Sequence, residues 1–270
     1  MSNNKSLRTA SVVFNSKTGI LSISGSDNND VVTLNKSGTN VLVSLKNSSA
    51  TINRTITASS LKSIVFSGFG GNDTFTNNTN VSSRADGGTG NDTLRGGSVT
   101  DVLTGGDGDD KIYGNSGNDN ISGGAGIDLL FGHAGNDTMR GNSGNDEVYG
   151  MDGNDILSGD ENDDLIGGGS GNDIIHGNSG NDDLLGESGD DNMSGDDGND
   201  DIFGGSGNDD LHGGTGNDNV RGEEGDDNLD GDEGDDIING GSGNDDNLDN
   251  DDVMEDENED DDGENENEDD

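Results

Sequence analysis

Large apolar side chains recur along the chain with a period of nine residues. Leu, Ile, Val or Met stands at every ninth position from Leu94 to Ile238, seventeen times in succession without insertion or deletion. Side chains alternate along a β-strand, so Ile112 is expected to point inward while Lys111 and Tyr113 point outward. A short, strict period of this kind predicts a stacked solenoid in which each unit buries its apolar residue against its neighbours.

Glycine and aspartate follow the same nine-residue register. It reads G-x-x-G-x-D-x-U-x, where U is the apolar position, and it holds eighteen units over residues 87–248. All eighteen units have Gly first and Asp sixth, and sixteen have Gly fourth. Glycine reaches a positive φ without steric cost, which predicts a tight turn over the first six positions and a strand over the last three. Two units should then form one coil, so that alternate units contribute to two parallel sheets.

The N-terminal residues predict β-strands without the strict repeat. The segments rich in Val, Ile, Leu, Thr and Ser are Ser11–Phe14, Ile20–Ser24, Val31–Leu34, Val41–Leu45, Thr51–Thr57 and Ser63–Ser67. Two degenerate copies of the nonapeptide lie among them, Gly25–Thr33 and Gly68–Thr76, with Asp30 and Asp73 at the sixth position. We expect residues 1–86 to form a cap on the solenoid, and an independent binding domain is the alternative.

Composition and charge restrict the partners that the chain can have. Only 24% of the residues are hydrophobic and the net charge is −47, a composition typical of disorder, yet a disordered chain would not keep a register. An ordered form therefore needs a partner that cancels negative charge, which excludes nucleic acid and an anionic membrane surface. Residues 1–67 carry a net +5, residues 68–248 a net −37, and residues 249–270 hold fifteen acids and no base. The last segment is expected to be a disordered acidic tail.

A hard divalent cation would remove the repulsion between the aspartates. Stacking places the sixth-position Asp of one coil near its equivalent in the next, for example Asp92 near Asp110, and bare carboxylates at that spacing repel. Two apolar residues per coil also bury little area against the entropy cost of ordering eighteen residues. Calcium accepts carboxylate and backbone carbonyl oxygens in irregular geometry, whereas zinc and copper favour His or Cys. The chain has no Cys, and its three histidines, His133, His176 and His212, are isolated and expected to be surface side chains.

The predicted metal ligands are the eighteen sixth-position aspartates. Two rows of nine give at most eight pairs of successive coils per row, and so up to about sixteen calcium ions. The ligands are Asp92, Asp101, Asp110, Asp119, Asp128, Asp137, Asp146, Asp155, Asp164, Asp173, Asp182, Asp191, Asp200, Asp209, Asp218, Asp227, Asp236 and Asp245.

The repeat resembles that of a known family. G-G-x-G-x-D-x-U-x is the nonapeptide of the RTX (repeats-in-toxin, haemolysin-type) calcium-binding proteins, and Gly87–Arg95 and Gly204–His212 match it well. The resemblance covers about 60% of the chain. It implies an all-β fold, a right-handed parallel β-roll, with calcium held between turns n and n+2 and with secretion by bacteria.

Two units depart from the consensus where the turn needs a positive φ. Val99 replaces the fourth Gly of one unit, and its branched side chain should resist that conformation, so Asp101 is expected to be poorly placed and its site weak. Asn162 replaces the fourth Gly of another unit and should tolerate the conformation. The second Gly is often lost, which should leave the aspartates unaffected.

Aromatic residues of the roll are expected on one outer face only. Ninth-position residues of alternate units share a sheet, and every Phe and Tyr of the regular repeats falls in one set, namely Tyr113, Phe131, Tyr149 and Phe203. A cross-strand stacking ladder that stiffens the roll is one interpretation. A surface for self-association or for glycan contact is the other.

The sequence predicts a non-enzymatic, secreted calcium-binding β-roll whose folding is driven by calcium, used as a surface, matrix or adhesive element. H-E-x-x-H, G-x-S-x-G and P-loop motifs are absent, as is an apolar run long enough for membrane insertion. Met1–Ser11 has no apolar signal-peptide region, so extracellular or cell-surface localisation would need another export signal. The alternative is an accessory or fragment chain of a secreted enzyme or toxin whose catalytic domain lies elsewhere. An ice-binding solenoid is disfavoured because third positions hold Thr only at Thr89 and Thr215.

Overall fold

The computed structural model describes residues 8–248, which form two thirteen-stranded β-sheets and no α-helix. The predicted acidic tail, residues 249–270, lies outside the described residues. The N-terminal strands are β1 (Ser11–Asn15), β2 (Ile20–Ser24), β3 (Val31–Ser37), β4 (Asn40–Lys46), β5 (Thr51–Thr57), β6 (Ser63–Gly70), β7 (Thr74–Asn78) and β8 (Ser83–Thr89). A single 3-10 turn covers Ala58–Ser60. Residues 8–248 contain no helix that is long and apolar enough to cross a membrane.

The repeats continue with one strand per unit. These strands are β9 (Thr93–Arg95), β10 (Val102–Asp107), β11 (Lys111–Ser116), β12 (Asn120–Ala125), β13 (Leu129–Ala134), β14 (Thr138–Ser143), β15 (Glu147–Asp152), β16 (Ile156–Glu161), β17 (Leu165–Ser170), β18 (Ile174–Ser179), β19 (Asp183–Ser188), β20 (Asn192–Asp197), β21 (Asp201–Ser206), β22 (Asp210–Thr215), β23 (Asn219–Glu224), β24 (Asn228–Glu233), β25 (Ile237–Ser242) and β26 (Asp246–Leu248).

Alternate units form separate sheets, as the register predicts. Sheet 1 runs in the order β1-β2-β6-β8-β10 and then through the even strands to β26. Sheet 2 runs from β25 through the odd strands to β7, followed by β3-β4-β5. Neighbouring strands of the roll are parallel and offset by eighteen residues, for example Ile112 opposite Leu130. The fold is a parallel β-roll, which confirms the predicted class.

Most strands of the roll are longer than the sequence predicts. Apart from β9 and β26, the strands have six residues rather than three. They run from the seventh position of one unit to the third position of the next, so the turn occupies only the fourth to sixth positions. The predicted six-residue turn is wrong because the first three positions, although rich in glycine, keep pairing with the neighbouring coils, as Asn115 and Ser116 do with His133 and Ala134.

The second position of many units keeps a left-handed backbone without glycine. Positive φ values occur at Asn115 (74°), Met151 (81°) and Glu187 (73°), and these residues still pair in the sheets. Such residues carry local strain when they replace glycine. The stacked coils on both sides therefore impose this conformation on the backbone.

The core is a single column of apolar side chains between the two sheets. The eighth-position residues from Leu94 to Leu229 are essentially fully buried. The column continues without interruption into the N-terminal strands, where Phe66 and Phe75 stack at 5.1 Å between ring centroids. The six strands predicted before residue 68 are all present, with the predicted bounds for Ile20–Ser24 and Thr51–Thr57. Two antiparallel units, β1-β2 and β3-β4-β5, close the N-terminal edges of the two sheets.

Candidate metal centre

The sixth-position aspartates lie in two buried rows, one along each line of turns. Each side chain holds two coils together, because its Oδ1 accepts a hydrogen bond from the backbone N–H of the aspartate one coil earlier. Asp92 N–H donates to Asp110 Oδ1 at 2.6 Å, and Asp110 N–H donates to Asp128 Oδ1 at 2.7 Å. The same bond recurs through both rows at 2.6–3.1 Å, as far as Asp236 in one and Asp245 in the other.

The N-terminal strands extend the rows beyond the eighteen predicted ligands. Asp73 N–H donates to Asp92 Oδ1 and Asp30 N–H donates to Asp73 Oδ1, so the degenerate repeats continue one row. Ser26 ends that row, because its N–H and its hydroxyl both donate to Asp30 Oδ2. Ser83 begins the other row by donating to Asp101 Oδ1. The sixth-position Asp in each degenerate repeat was the sequence signal for this extension.

The second carboxylate oxygen of these aspartates is buried without a hydrogen-bond donor. This holds for Oδ2 at Asp73, Asp92 and every sixth-position Asp from Asp110 to Asp227. An ionised carboxylate in this state is costly unless a cation or a proton reaches it. Burial accordingly raises the pKa of Asp92 to about 6, of Asp110 to about 7 and of Asp164 to about 8. The neighbouring aspartates raise the pKa of Asp110 and Asp164 further.

A backbone carbonyl of the next coil shares the space beside each Oδ2. At Gly114, a first-position glycine, an added Cβ would lie 2.5 Å from Asp119 Oδ2 and 2.9 Å from the carbonyl oxygen of Gly132. At Gly213 the corresponding distances are 2.6 Å to Asp218 Oδ2 and 2.5 Å to the Gly231 carbonyl oxygen. The invariant first glycine therefore keeps a space open between a carboxylate oxygen and a carbonyl oxygen. Hard cations such as Ca²⁺ bind this donor set, whereas soft metals do not favour it.

The unit that contains Val99 differs from the others. Fourth-position residues such as Gly117 and Asn162 have a positive φ of 125° and 80°, but Val99 is not among the described residues with positive φ. The prediction that Val99 resists a positive φ is therefore confirmed, as is the prediction that Asn162 tolerates one. The expectation that Asp101 is misplaced is wrong, because it is fully buried and its Oδ1 and N–H occupy their usual places in the row. Its Oδ2 instead accepts a hydrogen bond from Gly97 N–H at 2.6 Å. This is the carboxylate oxygen that, in other units, faces the neighbouring coil without a donor.

Replacing Val99 by Gly should therefore strengthen calcium binding in this unit. Val99→Gly permits the positive φ of the other units, which should release Gly97 N–H from Asp101 Oδ2. We expect the calcium midpoint to fall by roughly 2-fold to 10-fold, or at most about 1.4 kcal/mol, in a titration followed by circular dichroism. Asn162→Gly is the matched control, since Asn162 already has the left-handed conformation and its substitution should change the midpoint little. Equal midpoints for Val99→Gly and the unmodified chain would contradict the conformational argument.

Acid should partly substitute for the metal. In the folded chain burial raises the pKa of Asp92 to about 6, of Asp110 to about 7 and of Asp164 to about 8, above the ordinary value of 3.8, so folding takes up protons. In calcium-free solution the β-structure should therefore gain stability as the pH falls from about 8 towards 4, and lose it as the pH rises through 6–8. Circular dichroism of dilute calcium-free protein, with light scattering to exclude aggregation, measures this. A β signal that falls on acidification would contradict the assigned pKa shifts.

A second ladder, at the fifth position, was missed in the sequence. Each Oδ1 accepts a hydrogen bond from the backbone N–H one coil later, which is opposite in direction to the aspartate rows. Asn136 N–H donates to Asn118 Oδ1, and Asn154 N–H donates to Asn136 Oδ1. The signal was available, because sixteen of the eighteen fifth positions are Asn or Asp. Thr100 and Ile127 are the exceptions. This outer ladder supports the turns that hold the aspartate rows.

The predicted aromatic residues share one outer face of sheet 2. Tyr113 stacks on Phe131 at 5.4 Å and Phe131 on Tyr149 at 5.3 Å between ring centroids. Arg95 lies 3.7 Å over the ring of Tyr113 and Arg221 lies 5.4 Å over that of Phe203. Tyr113, Phe131 and Tyr149 thus form a stacked ladder, whereas Phe203 lies further along the same face, beyond Gly167 and Leu185.

The comparison with protein families agrees with this geometry. The RTX calcium-binding nonapeptide repeat model matches residues 86–121, 113–148, 140–175, 176–211 and 212–246. No curated protein was found to match the chain. The repeats of the matched family bind Ca²⁺, and that family is a repeat-type, calcium-binding one rather than a catalytic one. With more than half of its length accounted for by these repeats, the chain belongs to the RTX calcium-binding nonapeptide repeat family.

Proposed function

We propose that the protein is a secreted, non-enzymatic β-roll in which calcium drives folding, and that it serves as a surface, matrix or adhesive element. Its calcium ligands in this proposal are the eighteen sixth-position aspartates, with up to about sixteen ions between successive coils. The observation that carries it is the buried Oδ2 without a donor, facing a carbonyl oxygen across a space that only glycine leaves open. Calcium would complete each of these sites with further backbone or water oxygens.

An extracellular or cell-surface location is part of the proposal. Many bare carboxylates oppose folding where calcium is scarce, so the chain would stay unfolded inside a cell and fold after export. The family resemblance implies secretion, and the charge of −37 over residues 68–248 explains why folding would wait for the cation. The division into a cap of residues 1–86 and a calcium-binding roll of residues 87–248 belongs to the same proposal.

The aromatic ladder supports a stiffening role more directly than a binding role. The rings of Tyr113, Phe131 and Tyr149 are half-buried and stack on one another, and Arg95 covers the ring of Tyr113. We propose that stiffening is its main contribution, and that self-association or glycan contact would use the same four residues, Tyr113, Phe131, Tyr149 and Phe203. Sedimentation of a variant with Ala at these positions, in calcium, would reveal any self-association through this face.

Two adjacent glycines provide the test of the calcium sites. Gly168 is a first-position residue, and a methyl group there would overlap Asp173 Oδ2 and lie 3.0 Å from the carbonyl oxygen of Gly186. Gly167 faces outward, and a methyl group there would lie 3.1 Å from a ring carbon of Tyr149, a side chain that can move aside. The two substitutions to Ala have the same effect on the entropy of the unfolded chain. A difference in calcium binding between the two variants therefore reports on the space beside Asp173.

We expect Gly168→Ala to lower the number of bound calcium ions by one or two. The calcium midpoint for folding should rise on the order of 10-fold, equivalent to about 1.4 kcal/mol, while Gly167→Ala should remain near the unmodified chain. Isothermal titration calorimetry gives the stoichiometry and circular dichroism gives the midpoint. Equal stoichiometry for Gly168→Ala and Gly167→Ala would refute calcium binding at this space.

A further inference from the structure

One histidine lies among carboxylates on the outer face of sheet 1, away from the aspartate rows. His212, Asp230 and Asp232 each offer a ligand atom, and these atoms lie within 4.8 Å of one another. The residues lie on paired strands, since His212 of β22 is directly opposite Asp230 of β24, and Asp232 follows two positions later on the same outer face. We infer that these three residues form a second type of metal site, which takes a divalent transition metal such as Zn²⁺ rather than calcium.

The distances suit a small tetrahedral ion. His212 Nδ1 lies 3.4 Å from Asp232 Oδ2. Two ligands of a tetrahedral zinc ion, bound at roughly 2.0–2.1 Å, are about 3.3–3.4 Å apart. The backbone N–H of Asp232 donates to Asp230 Oδ1 at 3.0 Å, which fixes that carboxylate beside the other two ligands. All three ligand atoms lie within 4.8 Å of one another, so side-chain rotation would bring them to one centre, and water would supply the fourth ligand.

A fourth residue, Asp210, lies beside the imidazole on its other side. Asp210 Oδ1 lies 3.7 Å from the other ring nitrogen of His212, Nε2. A carboxylate at that nitrogen favours the tautomer with hydrogen on Nε2, which leaves Nδ1 as the ligand. The imidazole also sets the choice of metal, since calcium takes oxygen ligands in larger number, whereas one imidazole and two carboxylates suit zinc. The sequence-based expectation that His212 is only a surface side chain rested on its isolation along the chain, and the eighteen-residue coil removes that isolation.

The chain contains a natural control for this site two coils earlier. His176 has the same relation to Asp196, with Nδ1 lying 3.3 Å from Asp196 Oδ2. Ser194, however, stands opposite His176 in place of the aspartate, and Ile174 occupies the position of Asp210. His176 therefore has two of the ligand groups and lacks both the third ligand and the orienting carboxylate. It should bind zinc much more weakly than His212.

Reciprocal substitutions at the two histidines test the inference in the full chain. Zinc is titrated calorimetrically into calcium-saturated protein, so that oxygen-only sites are filled and the roll is folded. We expect one zinc ion per chain to bind at least 10-fold more tightly than any other. Asp230→Ser should abolish this binding, and Ser194→Asp should add a second, weaker zinc ion at His176. Asp210→Asn should weaken the His212 site about 10-fold to 100-fold without loss of β signal.

The controls separate zinc binding from folding. His133→Ala should leave the tight zinc ion in place, whereas His212→Ala should remove it, and circular dichroism in calcium should be the same for both. Histidine ring ¹⁵N shifts should show Nδ1 of His212 as the metal-bound nitrogen. Zinc binding that is unchanged in His212→Ala, or absent from the unmodified calcium-saturated chain, would overturn the inference and leave the calcium-binding function untouched.

Discussion

Removal of calcium is expected to abolish most of the β-structure of residues 87–248. Without the ion, both rows hold buried carboxylates whose Oδ2 atoms lack a donor, and successive aspartates lie one coil apart. Residues 68–248 carry a net charge of −37, which sixteen calcium ions would nearly cancel with +32. Binding and folding are then one equilibrium, because the unfolded chain has no assembled site. Far-ultraviolet circular dichroism before and after chelation measures the loss.

The control for this experiment is a comparison of calcium with magnesium and with high salt. Returning calcium should restore the signal cooperatively, whereas magnesium at the same concentration should restore little, since it retains its water and requires octahedral geometry. High salt with chelator should recover only a part, because screening weakens repulsion between exposed charges but supplies no donor to a buried Oδ2. A chelated sample at neutral pH that keeps its full β signal would show that the roll folds without metal.

Deletion of residues 1–67 is expected to raise the calcium requirement or to cause end-to-end association. These residues supply β1 to β5 and most of β6, and the apolar column passes through them without a break. Their loss would expose Phe75 and Ala85, which are now fully buried, and would leave β7 and β8 as open edges. Open solenoid ends pair with other chains, and terminal caps prevent this.

Electrostatic attraction between the N-terminal region and the roll should add to the effect of the cap, and its contribution can be separated from that of apolar packing. Residues 1–67 carry a net +5 and residues 68–248 a net −37, so high salt should weaken the electrostatic part of the cap's effect and leave the apolar part. Calcium titration and sedimentation velocity of the truncated chain measure the two outcomes. A truncated chain that titrates like the full chain and remains monomeric would identify the N-terminal region as an independent domain.

The architecture could be predicted from the sequence because the position of a residue within the nonapeptide determines whether its side chain is buried. The eighth-position residues form the core, and the sixth-position aspartates align between coils, as predicted. Contacts that depend on neighbouring coils were harder to predict. The left-handed backbone at Met151 contradicts its local preference and is imposed by the sheet on both sides. The hydrogen bond from Gly97 to Asp101 occurs in the unit that contains Val99, and the repeat pattern alone does not specify where the Gly97 N–H points.

The alternation of units between the sheets limits how the roll can change length. Every unit from residue 87 to residue 239 offers an apolar core residue and a sixth-position aspartate, so excision of one nonapeptide, such as residues 150–158, would leave both the column and the rows continuous. It would also move every later unit to the opposite sheet. Phe203 would then lie on the face opposite to Tyr113, and Arg221 would move with it. The core permits growth or shortening in steps of nine residues, but the two outer surfaces keep their separate identities only in steps of eighteen.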